Sequence, residues 1–324
     1  MKKIMMTAAL VLLAAAAFAQ GKFTWIITTS DDPDKMLPGI DPSKVAGTIV
    51  TAGSSTVYPI SEYIASMFKE DGFTGQITID SIGSGAGFDR FAKTGETDIS
   101  NASVAISTTQ IAAAQSIGRN PIEFRLGTDA LAVCVSTKNT FVKDVTQAEL
   151  KLIFSTAVYW SDVRPSWPRM EIKRFIPGTD SGTFSYFVEH LYKKDKAPIL
   201  GAKNLQLSED DNILVRGIAD DAYAVGFFGF AYYVENQKSL KVLSIDGIEA
   251  NAANVDAGKY PLARPLFIYS DSRIMNAKPQ VAAFILYYLT YAPEALKRVG
   301  YFPAPAAEVK KAKQAWLDAV KGRY

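Results

Sequence analysis

A loop of small and polar residues, 177–183, could bind an anion without using a charged side chain. The apolar residues that follow it recur at intervals of three and four, which predicts that the loop opens an α-helix. The first turn of a helix has backbone N–H groups without partners and carries the positive end of the helix dipole. Ser181 and Thr183 add hydroxyl donors, and Gly182 leaves the backbone open to close approach. The loop therefore predicts a pocket for a small anion, with an ordinary capped helix as the alternative.

Two further loops repeat this order of strand, small polar loop and helix. Residues 53–59 follow a β-rich run at 48–52, and residues 82–88 follow a predicted strand at 76–80. The second of these loops lacks the G-x-G-x-x-G spacing of a dinucleotide fold and the Gly-Lys-Ser/Thr end of a P-loop. Both nucleotide interpretations are therefore weak. The occurrence of three such loops in one chain favours anion binding over three unrelated helix caps.

The composition of the 324 residues narrows the chemistry further. There is one histidine, His190, and one cysteine, Cys134, so soft-metal sites and histidine-based triads are close to excluded. A single cysteine cannot form a disulfide within the chain. With 48% hydrophobic and 21% charged residues, the composition is that of a globular protein with enough core for two lobes. We expect neither a metal nor a cofactor.

Residues 1–19 have the features of a secretory signal peptide. Lys2 and Lys3 precede an apolar run that is shorter than the ~20 residues of a membrane span, and residues 17–19 fit the small-x-small cleavage pattern. Cleavage after Ala19 removes both lysines, so the formal net charge falls from +2 to 0. Nothing in that balance points to nucleic acid or to a membrane surface. Because no cysteine follows the signal, we expect a periplasmic protein without a lipid anchor; a retained N-terminal anchor is the alternative.

Short predicted strands and helices alternate from residue 48 onwards, which favours an α/β fold with a largely parallel sheet. Residues 20–46 are rich in Asp and Pro, and we interpret them as an exposed N-terminal extension. Near the C-terminus, Pro279 opens a strongly apolar helix, and an amphipathic helix surrounds Trp316.

The three loops resemble those of phosphate-binding proteins, the periplasmic receptors of phosphate ABC transporters. The likeness continues through four more stretches, so that it covers nearly all of the chain from Gly47 to about Pro303: residues 98–103, 209–212, 226–233 and 261–267. It implies an α/β, two-lobe periplasmic-binding-protein fold of type II, with two crossover strands as the hinge and the anion between the lobes. The crossovers should fall near 126–130 and 262–265. Lobe 1 would then contain residues 47–129 and 263–324, and lobe 2 residues 130–262.

The resemblance also implies the ligand, its binding residues and its partners. The ligand would be inorganic phosphate, delivered by a monomeric receptor to the permease subunits of an ABC importer. Carried over residue by residue, the binding positions would be Ser55, Thr56 and Val57 in the first loop, Ser84 in the second, and Ser181, Gly182 and Thr183 in the third. Charge-assisted hydrogen bonds are worth roughly 1.5–3 kcal/mol each, so five or more could support sub-micromolar binding after the costs of association.

Two positions depart from the family's pattern. Many relatives place arginine after the Asn-Ala-Ser stretch and others place aspartate there, but this chain has Val104. Relatives usually carry glutamine where it has Arg216. We hypothesise a compensating exchange in which Arg216 supplies the missing charge, with a surface or structural role as the alternative. An aspartate would accept a proton that phosphate has and sulfate lacks, so Val104 keeps another tetrahedral oxyanion open as the ligand.

The run that begins at Asp180 also matches the aspartic-protease signature. Such enzymes need two carboxylates that share one proton, and the chain contains no second copy of the signature. We therefore expect a binding protein and not an enzyme. A receptor fold reused as a phosphate sensor or as an extracellular scaffold stays open.

Overall fold

The computed structural model describes Trp25 and residues 35–324, so the predicted signal peptide lies outside the described residues. The strands are β1 (Thr48–Gly53), β2 (Gln76–Ser81), β3 (Ile99–Ala102), β4 (Pro121–Ser136), β5 (Asp144–Val145), β6 (Lys173–Pro177), β7 (Leu205–Ser208), β8 (Ala224–Gly229), β9 (Leu240–Val242), β10 (Ser244–Ile245), β11 (Ala263–Asp271) and β12 (Phe302–Pro303).

The helices alternate with these strands along the chain. They are α1 (Tyr58–Glu70), α2 (Ser84–Asp89), α3 (Thr108–Ser116), α4 (Gln147–Ile153), α5 (Gly182–Tyr192), α6 (Ala197–Leu200), α7 (Asp211–Asp220), α8 (Phe230–Glu235), α9 (Ala252–Asp256), α10 (Ser272–Ala277), α11 (Pro279–Val299) and α12 (Ala306–Val320). The apolar helix after Pro279 and the amphipathic helix around Trp316 are therefore both present.

One continuous sheet path links the strands in the order β2-β1-β3-β11-β4-β8-β6-β7. At its two ends the strands pair in parallel, as β1 does with β2 and β3, and β6 with β7 and β8. In the middle they pair antiparallel, β11 with β3 and β4, and β4 with β8. The sheet is therefore mixed, and the expectation of a largely parallel sheet is wrong for its centre. The physical reason is that β4 and β11 run in opposite directions between the two halves of the molecule.

Two separate hydrophobic cores define two lobes. One core consists of buried residues between Ala130 and Leu262, and the other consists of buried residues on both sides of that segment. The start of β4, through Ile122, Phe124 and Leu126, and the middle of β11 contribute to the second core, whereas residues 131–135 of β4 pair with β8 in the first. The α/β two-lobe fold is thereby confirmed. The lobe boundaries at 129/130 and 262/263 remain predictions, and the cores separate at the same two places along the chain.

The part of the N-terminal extension that the structure describes is not uniformly exposed. Met36 and Val45 are 4% and 6% exposed and belong to the core of lobe 1. Trp25 packs edge-on against Trp316, with ring centroids 4.9 Å apart. The expectation of exposure is wrong for these residues because it was drawn from the abundance of Asp and Pro. A few isolated apolar side chains are enough to hold an irregular segment on a core.

Arg174 of β6 holds the elements of lobe 2 that precede the 177–183 loop. Its side chain is fully buried, and its guanidinium donates hydrogen bonds to four backbone carbonyls, those of Ile153, Ala157, Ile172 and Lys203. Burial lowers the pKa of Arg174 to about 10. Buried carbonyls cost free energy when left without donors, so this one side chain ties the end of α4 and two loops to β6.

We expect Arg174→Met to lower the free energy of unfolding by at least about 3 kcal/mol, because several buried carbonyls lose their donor at once. Urea denaturation followed by circular dichroism measures this change. Arg216→Met is the matched control, because Arg216 is an exposed arginine of the same lobe, and its effect should stay within about 0.5 kcal/mol. Equal effects of the two substitutions would contradict the role given to Arg174.

Candidate functional site

The first loop is held in place by a close approach between two backbones. β1 ends at Gly53, whose φ of +144° and position leave no room for a side chain: a Cβ there would lie 2.0 Å from the carbonyl oxygen of Asn101. The N–H of the next residue, Ser54, donates to that same oxygen over 2.9 Å. The loop then turns into α1, and the N–H groups of Thr56 and Val57 are both taken by Ser54.

The second loop packs directly against the first. A Cβ on Gly87 of α2 would lie 2.5 Å from the Cα of Gly53, so both glycines are needed for the two loops to meet. At the start of α2, the Oγ of Ser84 accepts a hydrogen bond from the N–H of Ser103 over 3.0 Å. Segment 103–105, which follows β3, is thereby drawn to the same place. These contacts build one wall of a cleft from three parts of lobe 1.

The third loop opens α5 on lobe 2. Ser181 is the N-cap, and its Oγ accepts from the N–H groups of Thr183 and Phe184 over 3.1 and 3.4 Å. The cap leaves the N–H of Gly182 without an acceptor among the described residues. A Cβ on Gly182 would come within 3.9 Å of the carbonyl oxygen of Ser55, so the first and third loops face each other across the cleft.

Residues of both lobes enclose a cavity of about 810 Å³. Lobe 1 contributes the first two loops and segment 103–105, lobe 2 contributes α5, and residues 263–265 of β11 form the floor. Seven lining residues outside β11 have backbone N–H groups for which the described chain offers no acceptor: Ser55, Ser84, Gly85, Ala86, Val104, Ala105 and Gly182. The cavity thus collects unpaired backbone donors from all three loops. Such donors favour an anion.

The predicted binding residues fall into two groups. Those that line the cavity are Ser55, Thr56, Ser84 and Gly182. Those that do not are Val57, Ser181, Thr183 and Arg216. Val57 is fully buried beneath the first loop, and Ser181 turns its hydroxyl back to cap α5. The N–H of Thr183 is used by that cap. These three residues shape the loops that carry the cavity-facing groups.

Arg216 lies on α7 with its side chain exposed, away from the cavity lining. The structure therefore does not bring it to Val104, which lines the cavity and is 53% exposed. The hypothesis of a compensating exchange rested on sequence pattern alone, and the geometry offers it no contact. Asp180 is also exposed and lies outside the cavity lining.

Arg264, on the floor of the cavity, is the charged residue that sequence reasoning missed. Its Nε donates to Oδ2 of Asp129 over 3.0 Å, and its guanidinium carbon lies 3.9 Å from the ring centroid of Tyr186. Its Nη2 reaches the carbonyl oxygen of Gly182 over 3.4 Å. Burial raises the pKa of the Asp129 carboxyl, and Arg264 opposes that rise. The stretch 261–267 carried the family resemblance, but nothing in its sequence revealed that the arginine is buried.

The other charged groups of the cavity lie at its rim on lobe 2. Lys194 is paired with Glu189 over 3.3 Å, and both side chains are more than half exposed. His190 lies exposed on α5, and its Nε2 is 2.9 Å from Oε1 of Gln147. Partial exclusion of water lowers the pKa of His190, and the nearby charges of Lys151 and Arg264 lower it further. The ring is therefore neutral at neutral pH.

Residue 25 and residues 35–324 contain neither a metal-binding cluster nor a membrane-spanning helix. No group of three or more His, Cys, Asp and Glu side chains there is arranged to hold a metal ion. Within the same residues, no helix is both long and apolar enough to cross a bilayer.

Two α/β lobes, joined by two crossover strands and closed around a cleft of helix-opening loops, define a two-lobe solute receptor. Residues 41–291 match the family model described as PBP superfamily domain. The chain belongs to this family.

Individual relatives agree with this assignment. The chain is 40% identical over 279 residues to Protein SphX of Synechococcus elongatus, which covers 82% of this chain and 80% of the relative. It is 30% identical over 289 residues to Phosphate-binding protein PstS of Staphylococcus saprophyticus, covering 87% and 88%. A solved structure of a possible phosphate binding protein from Planctomyces limnophilus has a TM-score of 0.79 at 34% identity, covering 85% and 99%. The resemblance to phosphate-binding proteins that the three loops carry is confirmed.

We expect Gly53→Ala to lower the free energy of unfolding by more than about 2 kcal/mol, because a Cβ would collide with the backbone of β3 at a positive φ. Chemical denaturation without ligand measures the change. In the matched control, Gly85→Ala, the new Cβ meets nothing within 4 Å, so stability should stay within about 1 kcal/mol. A neutral Gly53→Ala would mean that the first two loops do not require this close approach.

Proposed function

We propose that this protein is the phosphate receptor of an ABC importer, which captures inorganic phosphate between its lobes and delivers it to the permease. The observation that carries the proposal is the convergence of unpaired backbone N–H groups from three loops, on both lobes, in one cavity. The relatives that are named for phosphate binding match nearly the whole chain, which supports the same ligand here.

The physical basis is the replacement of water around a tetrahedral ion. An anion that enters the cavity loses its hydration shell and needs several aligned donors in return. The first turns of α2 and α5 supply backbone N–H groups together with the positive ends of helix dipoles. Hydroxyls of Ser55, Thr56 and Ser84 can each donate one more hydrogen bond, and can also accept a hydrogen bond from a protonated oxygen of the anion. We infer that these three residues and Gly182 bind phosphate directly.

The remaining predicted residues support the site without lining it. Val57 anchors the first loop in the core, and Ser181 and Thr183 complete the cap that leaves Gly182 free. Because donors come from both lobes, the affinity depends on how closely the lobes approach. A hinge motion about the two crossover strands is the expected way to open and close the cleft.

The cellular setting follows from the sequence and from the kind of relatives. The relatives are solute-binding proteins, which favours a receptor over an enzyme. The motif at Asp180 occurs once and is exposed, which argues against an aspartic-type hydrolase. We infer that the chain is exported, cleaved after Ala19 and free in the periplasm without a lipid anchor. We further infer that it works as a monomer whose partners are phosphate and the permease subunits, with no role for nucleic acid.

A second candidate ligand is another tetrahedral oxyanion, because the apolar Val104 lines the cavity and offers no acceptor for a hydrogen bond from a protonated phosphate oxygen. Calorimetric titration of the purified protein with phosphate, arsenate and sulfate decides between the candidates. Sub-micromolar binding of phosphate with much weaker binding of sulfate is the expected result. Sulfate binding as tight as phosphate binding would identify a general oxyanion receptor, and no binding of any of the three would refute the proposed function.

We expect Thr56→Val to weaken phosphate binding by about 10- to 100-fold, because one charge-assisted hydrogen bond is lost without a change of shape. The Thr56 hydroxyl has no partner among the described residues and is not enclosed, so it is available to a ligand. Thr108→Val, at the exposed start of α3 in lobe 1, is the matched control and should leave the dissociation constant unchanged. Calorimetry reports both values, and equal affinities of the two variants would remove Thr56 from the site.

A further inference from the structure

We propose that Arg264 is a direct ligand of the bound anion and supplies the positive charge of the site. This inference rests on the proposed function, and it names a binding group that the loop resemblance does not contain. It also replaces Arg216 as the source of charge.

The position of Arg264 is set by the two crossover strands. It lies on β11 directly opposite Asp129 of β4 in the strand register, and it lines the floor of the cavity between the lobes. Its side chain is 11% exposed, and that of Asp129 is 1% exposed. A charge at this depth is screened far less by salt than the exposed charges at the rim.

Two nitrogens of the guanidinium already have acceptors within the protein, and the third does not. Nε donates to Asp129 and Nη2 approaches the carbonyl oxygen of Gly182. Nη1 has no acceptor among the described residues, and it is not among the enclosed polar atoms that lack a partner. It therefore has access to the cavity that Arg264 lines. The free N–H of Gly182 belongs to the same residue whose carbonyl Nη2 approaches, so both donors lie in one corner of the cleft.

Two neighbours hold the guanidinium in this orientation before any ligand arrives. Asp129 accepts a hydrogen bond from Nε, and the guanidinium carbon lies over the ring of Tyr186, which is 7% exposed. An arginine that is oriented in advance loses little side-chain freedom when it binds an anion. Planar donors of this kind also match the oxygens of phosphate.

The other charges of the cavity do not replace Arg264. Lys194 forms an ion pair with Glu189 at the exposed rim, and His190 is neutral at neutral pH. Asp129 balances Arg264 formally, but it lies behind the arginine and does not line the cavity. The pair therefore presents its positive end to the cleft, so an anion there is nearer to the guanidinium than to the carboxylate.

The test is calorimetric titration of the wild-type protein, Arg264→Gln and Arg264→Lys with inorganic phosphate at two pH values. At the lower pH phosphate carries one negative charge, and at the higher pH it carries two. Loss of a neighbouring positive charge costs a dianion about twice what it costs a monoanion. We expect Arg264→Gln to weaken phosphate binding about 10- to 100-fold at the higher pH and several-fold less at the lower pH. Arg264→Lys should keep the ratio of the two phosphate affinities, at the higher and the lower pH, that the wild type has.

Arg264 opposes the rise in the pKa of Asp129 and helps to lower the pKa of His190, so Arg264→Gln shifts both groups, whereas Arg264→Lys keeps the cation and controls for those shifts. The ionisable groups around Arg264 are common to all three proteins: Asp129, Tyr186, Glu189, His190, Lys194 and Tyr301. Arg216→Gln is the matched control outside the cavity and should bind phosphate as the wild type does. If Arg264→Gln lowers the phosphate affinity by the same factor at both pH values, Arg264 only shapes the hinge and the inference is wrong. Unchanged affinity in Arg264→Gln overturns it as well.

Wild-type protein that binds no phosphate would instead overturn the proposed function, which keeps the two failures distinct. Should Arg264→Gln not fold, nitrogen NMR of the wild-type protein gives the answer. Arg264 is the one arginine among the described residues that lines the cavity, so saturation with phosphate must shift one arginine side-chain signal. If no such signal shifts, the inference is overturned.

Discussion

The pairing of β4 with β11 is the interaction on which the rest of the molecule depends. These two strands are hydrogen-bonded to each other from Pro121 to Ala130 on one side and from Ala263 to Asp271 on the other. Each also pairs with its neighbours in the sheet, β11 with β3 and β4 with β8. The two halves of the sheet are therefore joined at this one pair of strands, about which the lobes can hinge, and the cleft lies between the lobes.

The arrangement of donors follows from this constraint. Parallel strands at the two ends of the sheet deliver their following loops to the same edge, where helices begin. The glycines at 53 and 87 let two of these loops touch, and the cap at Ser181 leaves one N–H free on the facing loop. The three loops thus present backbone donors and hydroxyls to the cavity without a charged side chain of their own. Among the described residues, the arginine that lines the cavity is Arg264, on the strand pair that joins the lobes.

The sequence predicted those elements well that depend on a local pattern of residues. The three loops and the helices they open could be inferred from small polar residues between a predicted strand and an apolar helical face, and the two-lobe architecture from the resemblance to phosphate-binding proteins. It could not predict which loop atoms face the cleft. Ser181 and Thr183 look like ligands in the sequence, but the cap uses the hydroxyl of Ser181 and the N–H of Thr183, and that depends on backbone angles. The low exposure of the Arg264 side chain and the exposure of Arg216 could not be predicted either, because they depend on contacts between residues that are distant in the sequence.

The order of elements along the chain has a consequence for biosynthesis. β3 is made early, but its partner β11 follows only after the whole of the segment that forms the other core. Until then the sheet containing β1, β2 and β3 has an open edge and lacks α11, the longest helix packed on its core. A nascent chain can therefore complete the middle segment while the outer one stays unfinished. The core formed by the outer segments can therefore be completed only after β11 and α11, which lie in the last fifth of the chain, have been synthesised.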